Sequence, residues 1–329
     1  MRLKEALVRH KKVILLILIL LLAARVFIPQ MDVLAESIQT LSGADLQWVF
    51  LAIIFYFTGI PVLAAQFIAL SFKRLTYALT LRVQAATLFV NKILPQGVGT
   101  ISLNIYYFIK KGHTPNQATA VVTMNAIAST SAYIVLIIVS LLYSNISVSS
   151  IFDDASVRSN SLVIAVLFIV GALITLMNAK ELRKSLAASW STFKKNIASY
   201  RTRPKEVLIN TVLNGIGTSL NILALIACAK ALGVEISFAD ALIAYTFGNI
   251  AATLVPTPGG LGSAEMGIYS GLVIAGLDPT MAMSVTLLYR LVSYWIPILP
   301  GYYFFSSLRK TLFAGYSVKA KPSSASSNA

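Results

Sequence analysis

Pro95-Gln96-Gly97-Val98-Gly99-Thr100-Ile101-Ser102-Leu103-Asn104-Ile105-Tyr106 recurs, 163 residues later, as Pro258-Gly259-Gly260-Leu261-Gly262-Ser263-Ala264-Glu265-Met266-Gly267-Ile268-Tyr269. The proline, two glycines, the isoleucine and the tyrosine coincide, and Val98/Leu261 and Thr100/Ser263 are near matches. With one residue inserted, Gly112-His113-Thr114-Pro115 then matches Gly276-Leu277-Asp278-Pro279. Each motif interrupts an apolar stretch, residues 81–109 and 239–277. At 1.5 Å per residue the halves, roughly 12–18 residues each, are mostly too short to cross a bilayer as helices. The competing reading is chance, since Gly and Pro are frequent in membrane helices.

The surrounding chain is membrane-like. Of 329 residues, 57% are hydrophobic and 12% charged, with a mean hydropathy of +0.77. A soluble domain carries about twice that charge, which excludes a cytosolic globular enzyme. Full-length apolar runs lie at Val13–Ile28, Leu46–Leu70, Ala118–Tyr143, Ser161–Ala179, Val207–Ala229 and Thr280–Phe305. Cys228 is the single cysteine and stands in an apolar run, so disulfides and cysteine metal sites are excluded. His10 and His113 both sit beside lysines at segment ends, which disfavours a histidine metal cluster.

Charge assigns the sides. Of 27 Lys and Arg, 22 fall in residues 1–12, 71–82, 110–117, 179–206 and 307–329. Asp32, Glu36, Asp45, Asp153, Asp154, Glu235, Asp240 and Asp278 lie at the other segment ends. The positive-inside rule makes both termini and the 179–206 loop cytoplasmic. Each broken stretch must then enter and leave on one side, the first from the cytoplasm and the second from outside. The expected fold is an all-α polytopic membrane protein with six spanning helices and two re-entrant broken-helix hairpins, in inverted halves of about residues 10–145 and 158–308. Eight spanning helices preserve the same loop sides and stay open. Residues 1–310 form a single transmembrane domain. The 179–206 loop is basic and reads as an amphipathic surface segment on anionic lipid, and 311–329 is a basic disordered tail. The N-terminal run is read as an uncleaved first helix rather than a signal peptide, because no clean small-x-small site follows it.

Inverted repeats with broken helices that meet near the midplane are a plan of secondary transporters. Irregular backbone at membrane depth must face protein or water. Two half-helices starting near Thr100 and Ser263 would point their N-termini, with partial positive charge, at one place, and the glycines let an anion approach. The candidate substrate-binding residues are therefore Lys92, Gly97, Gly99, Asn104, Asn249, Gly259, Gly260, Gly262, Ser263, Glu265 and Arg290. Lys92 and Arg290 supply phosphate-binding charge, and Glu265 holds Arg290. A purely structural Glu265–Arg290 pair is the alternative. Tyr294 and Trp295 lie deep enough to line a cavity. Most other polar residues in these helices, Asn91, Asn125, Asn214 and Asn221 among them, read as helix–helix hydrogen bonding.

Pro256-Thr257-Pro258-Gly259-Gly260-Leu261-Gly262-Ser263-Ala264-Glu265, followed by Leu287-Leu288-Tyr289-Arg290-Leu291 and Pro297, resembles the lysylphosphatidylglycerol synthase transmembrane family of flippase-like membrane proteins. The resemblance covers about residues 10–310 and is strongest in the last 80. It implies movement of a lipid between leaflets by a member without the soluble synthase domain. It also implies a lipid-synthase or glycosyltransferase partner as an option. The first half departs from the family's charged pattern: Ser102–Asn104 and Asn125–Ala126 stand where Arg and a Glu-Arg pair are usual.

The leading expectation is a membrane lipid transporter for an anionic phospholipid or polyprenyl-phosphate-linked lipid, in the cell membrane. It is not expected to be an enzyme. No Gly-x4-Gly-Lys-Ser/Thr motif is present, so transport is passive or ion-coupled. No cofactor, metal or nucleic acid is expected, and a homo-oligomer is left open. The alternatives are a lipid-phosphate glycosyl or acyl transferase and a scaffold for a lipid synthase.

Overall fold

The computed structural model describes residues 37, 39–94, 97–143, 196–255 and 257–312. The apolar runs Val13–Ile28 and Ser161–Ala179, most of the 179–206 loop and the tail lie outside the described residues. The described elements are helical: α1 Leu46–Leu70, α2 Tyr77–Ile93, α3 Val98–Lys110, α4 Pro115–Tyr143, α5 Pro204–Ala231, α6 Phe238–Leu254, α7 Ser263–Ile274, α8 Pro279–Arg290 and α9 Ile298–Leu312. Leu46–Leu70, Pro115–Ser140, Pro204–Ala231 and the joined α8–α9 segment Pro279–Leu308 are long and apolar enough to cross a membrane.

Local chemistry sets the ends. Asp45 accepts from Gln47 N at the start of α1, and Asp278 accepts from Thr280 N and Met281 N at the start of α8. Ser237 and Asp240 form a reciprocal capping box on α6. Pro115, Pro204 and Pro279 each open a helix, where a missing N–H costs nothing.

Both broken stretches fold as antiparallel hairpins. Across α2 and α3 runs a ladder of polar pairs: Asn91 Nδ2 to Thr100 Oγ1 (2.6 Å), Gln84 Nε2 to Asn104 Oδ1 (2.8 Å) and Thr80 Oγ1 to Tyr107 OH (2.8 Å). It is closed by Lys73 Nζ on the Gly112 carbonyl and by Ser71 Oγ beside His113 Nε2 (3.0 Å). Each buried donor in this ladder meets an acceptor, as a low-dielectric interior demands. The α6–α7 hairpin is held by close backbone approach instead. A Cβ on Gly271 would lie 2.4 Å from Ala244 Cα, and one on Gly267 2.4 Å from the Phe247 carbonyl.

The two hairpins open towards opposite ends of the molecule. Ser71, Lys73, Gly112 and Arg203 meet at one end, where Arg203 donates to the Ser71 carbonyl (3.1 Å). At the other end Asp45 N donates to Ala231 O (2.7 Å), and Ser37 Oγ to Thr280 O (3.0 Å). α1 and α5 pack along each other between these ends, and α9 lies on α2, where a Cβ on Gly301 would come 2.6 Å from Phe89 N. One apolar core gathers around α5–α8 and a second around α2–α4. The hairpin tips meet between them.

Candidate functional site

The last spanning segment is not a regular helix. After Arg290 it passes through a π-helical turn, Leu291–Trp295, in which Ile296 N reaches back five residues to Leu291 O (3.0 Å). Pro297 has no N–H to give to the Ser293 carbonyl four residues earlier. That carbonyl instead accepts from Lys92 Nζ at 2.9 Å, across 201 residues of sequence. π-turns of this kind are frequent at functional sites. Here the turn aims Arg290, Ser293 and Tyr294 at the hairpin tips.

Arg290 is 8% exposed and its Nε donates to Glu265 Oε1 at 2.7 Å. Its second contact, Nη2 to the Gly259 carbonyl, is 3.4 Å. The guanidinium lies 4.7 Å from the Tyr294 ring centroid and Lys92 Nζ 4.8 Å from the same ring, so both cations share one aromatic partner. Gly259 joins the tips: its N–H donates to the Leu94 carbonyl (3.1 Å). A Cβ there would sit 2.5 Å from Tyr294 Cε2 and 3.1 Å from Lys92 Cα, and its φ is +59°. Only glycine fits that turn without moving the site.

Beside this cluster lies a cavity of about 300 Å³, whose lining includes Lys92, Gly97, Gly259 and Arg290 together with Tyr56 and Asn221. Gly97, with φ +81°, is the N-cap of α3, and Ala264, also in the lining, is in the first turn of α7. Both half-helix N-termini therefore border one space. Two cations and one carboxylate leave a formal excess of one positive charge. Glu265 Oε2 and Ser293 Oγ are buried and lack a hydrogen-bond partner among the described residues. A formally positive cavity bordered by two half-helix N-termini suits a single oxyanion. Among the described residues no three His, Cys, Asp or Glu side chains cluster.

Of the residues expected from sequence, Lys92, Gly97, Asn249, Gly259 and Arg290 line the cavity, and Glu265 reaches it through Arg290. The others serve the turns. Gly99 lets α3 close on Asn91, whose backbone N a Cβ would meet at 2.8 Å. Gly260 and Gly262 carry positive φ, and Ser263 Oγ donates to the Val255 and Gly260 carbonyls (3.3 Å each). Asn104 is fully buried and bonded to Gln84 and to the Thr100 carbonyl, away from the cavity. Trp295 is 55% exposed and faces outward, unlike its buried neighbour Tyr294, and neither is in the cavity lining. α3 begins at Val98, two residues before the expected Thr100; among the described residues Gly97 carries the positive φ ahead of it, where Gly259, Gly260 and Gly262 do in the second copy. Sequence reading missed Tyr56, Tyr245, Tyr289 and Ser293 as lining residues, and assigned Asn91 and Asn221 to helix packing. Pro297 was the available signal for Ser293.

A family model described as the lysylphosphatidylglycerol synthase TM region matches residues 12–301. A UPF0104 membrane protein of Pyrococcus horikoshii is 29% identical over 126 residues, covering 38% of this chain and 37% of that protein. A UPF0104 membrane protein of Methanothermobacter thermautotrophicus is 32% identical over 83 residues, 25% of each chain. The matched segments thus span between a quarter and two-fifths of these relatives' lengths.

Proposed function

The chain belongs to the lysylphosphatidylglycerol synthase TM-region family of membrane proteins, and on that premise we propose that it carries an anionic phospholipid or polyprenyl-phosphate lipid between leaflets, the headgroup phosphate passing beside Arg290 and Lys92. The observation that carries the reading is the convergence of both hairpin tips on that one cavity, with Arg290 held by Glu265 at 2.7 Å. A charged group in apolar surroundings is costly and is retained mainly where it works on a substrate or ion. At about 300 Å³ the cavity takes a headgroup and leaves the acyl or prenyl chains in the bilayer.

In this reading both hairpins are re-entrant. The α2–α3 hairpin opens at the end carrying Lys73, Lys110, Lys111 and Arg203, which is cytoplasmic by the positive-inside rule. The α6–α7 hairpin opens at the end carrying Asp45, Asp240 and Asp278, and both termini are cytoplasmic.

The test is leaflet transfer of labelled phosphatidylglycerol, phosphatidylethanolamine and a polyprenyl phosphate in proteoliposomes, with wild type beside Glu265→Gln and Arg290→Ala. Transfer selective for the anionic lipids and lost in both folded variants is the expected result. Folded wild type that moves none of them sinks the proposal, and an active Arg290→Ala protein removes the site.

A further inference from the structure

A second space of about 220 Å³ adjoins the charged cavity, and Tyr56 and Asn221 stand in the lining of both. It runs between α1 and α5 from Tyr56 to Gln66, ten residues or about 15 Å of helix, towards the end of the molecule that carries Ser71 and Arg203. Its polar lining is amides and hydroxyls: Gln66, Gln84, Asn214, Thr218 and Asn221 beside Tyr56. Among the described residues that line it none is charged.

Gln66 is the informative member. It is 4% exposed, and its Nε2 donates to the Leu213 carbonyl at 3.1 Å, which fixes the amide's orientation. Its Oε1 then has no donor among the described residues. An unmatched buried acceptor is expensive, and a ligand O–H relieves that expense. Gly217 keeps the space open next to it: a Cβ there would lie 3.2 Å from Gln66 Nε2.

We propose that this chamber is the second half of the headgroup site and takes the uncharged, hydroxyl-bearing substituent of a phosphodiester whose phosphate sits beside Arg290 and Lys92. The inference rests on the transport reading for its lipid source, and it names a polyol phosphate as the shared chemistry. An ammonium substituent fits poorly, because it would enter beside a net positive cluster with no carboxylate among the described lining residues to receive it.

The experiment is calorimetric titration of the full chain in zwitterionic nanodiscs. The probes are dihexanoyl-phosphatidylglycerol, dihexanoyl-phosphatidylmethanol (equal charge, no hydroxyl) and glycerol 3-phosphate. Wild type is expected to bind phosphatidylglycerol about tenfold more tightly than phosphatidylmethanol, the worth of one or two buried hydrogen bonds. Gln66→Leu should erase that preference and leave phosphatidylmethanol binding unchanged. The near-isosteric Thr218→Val, which preserves the fold should Gln66→Leu fail to, should reduce it in the same direction. Glycerol 3-phosphate binding as tightly as the lipid supports the chamber and assigns its ligand to water. Equal affinity of the two lipids in wild type, a preference that survives both substitutions, or no binding of any probe to folded wild type overturns the assignment. A preference that persists in protein unable to move lipid leaves the chamber standing and removes the transport reading.

Discussion

Replacing Glu265 with Met separates the structural from the functional role of the buried pair. The two side chains are 15% and 9% exposed and meet at 2.7 Å. Losing one partner of such a pair costs about 3–5 kcal/mol, because the other charge stays buried and unmatched. Lys92 lies against the same tyrosine ring as Arg290, so Glu265→Met leaves two facing cations, whereas Arg290→Met leaves a carboxylate still near Lys92. Glu265→Met should therefore be the worse of the two. At about 2 °C per kcal/mol for a chain of this length, its midpoint should fall by about 6–10 °C. Cys228, the single cysteine and fully buried, lets a thiol-reactive fluorophore read the unfolding directly. The double variant Glu265→Met/Arg290→Met should regain most of the loss, since apolar replacement of a buried pair is often neutral. It should nonetheless fail in lipid transfer by about tenfold or more, the loss expected when a charge-assisted contact disappears. Phosphatidylglycerol should stabilise Glu265→Met more than Arg290→Met, because its phosphate supplies the freed guanidinium with a partner. A double variant as unstable as the singles refutes the pairing argument; one that is stable and still moves lipid refutes the role in binding.

Gly271→Ala should destabilise by about 1–3 kcal/mol or more, because its Cβ meets Ala244 backbone at 2.4 Å; Gly215→Ala, whose nearest neighbour is 3.9 Å away, should be neutral or stabilise by up to about 1 kcal/mol, as read by the same Cys228 melt. His113, 3% exposed in the turn before α4, has its pKa lowered by burial first, with the Phe108 carbonyl opposing and the Lys73 charge adding to the fall. A depressed folded pKa means the contribution is whole above the ordinary value of about 6.5 and is lost as pH falls through the folded value, so midpoints measured from pH 7.5 to 5 should decline and His113→Gln should flatten that decline. Tyr294→Phe should transfer lipid nearly as wild type, since its hydroxyl contact to the Lys92 carbonyl is 3.4 Å; Tyr294→Leu should lose transfer, because the ring and not the hydroxyl holds Lys92 and Arg290.

Within one family of residue types, sequence could not rank the members. Asn104 and Asn249 are both amides close to a Pro/Gly break, yet Asn104 is spent on Gln84 inside the first hairpin and Asn249 lines the cavity. The difference is the helix face each occupies once the hairpin register is set, and one slip of register would exchange such roles. Tyr56 and Asn221 carry no local mark at all. They become site residues because α1 and α5 pack side by side and bring positions 165 residues apart to one wall.

Charge scarcity, by contrast, was legible without coordinates. In apolar segments a Lys, Glu or Arg is too costly to be incidental, so Lys92, Glu265 and Arg290 stood out at once, and the repeated Pro/Gly motif marked where the helices must break. The chain's own covalent pattern therefore marked the membrane class, the two helix breaks and the three charges that meet beside the cavity. Charge placement already put the openings of the two broken stretches on opposite sides; tertiary packing alone decided that their tips join through Gly259 and Leu94, and that the charged cavity adjoins an amide-lined chamber. The reason is range. Periodicity, propensity and charge cost act within a few residues, whereas a cavity is the space left between helices whose separation and register are set by contacts over a hundred or more residues.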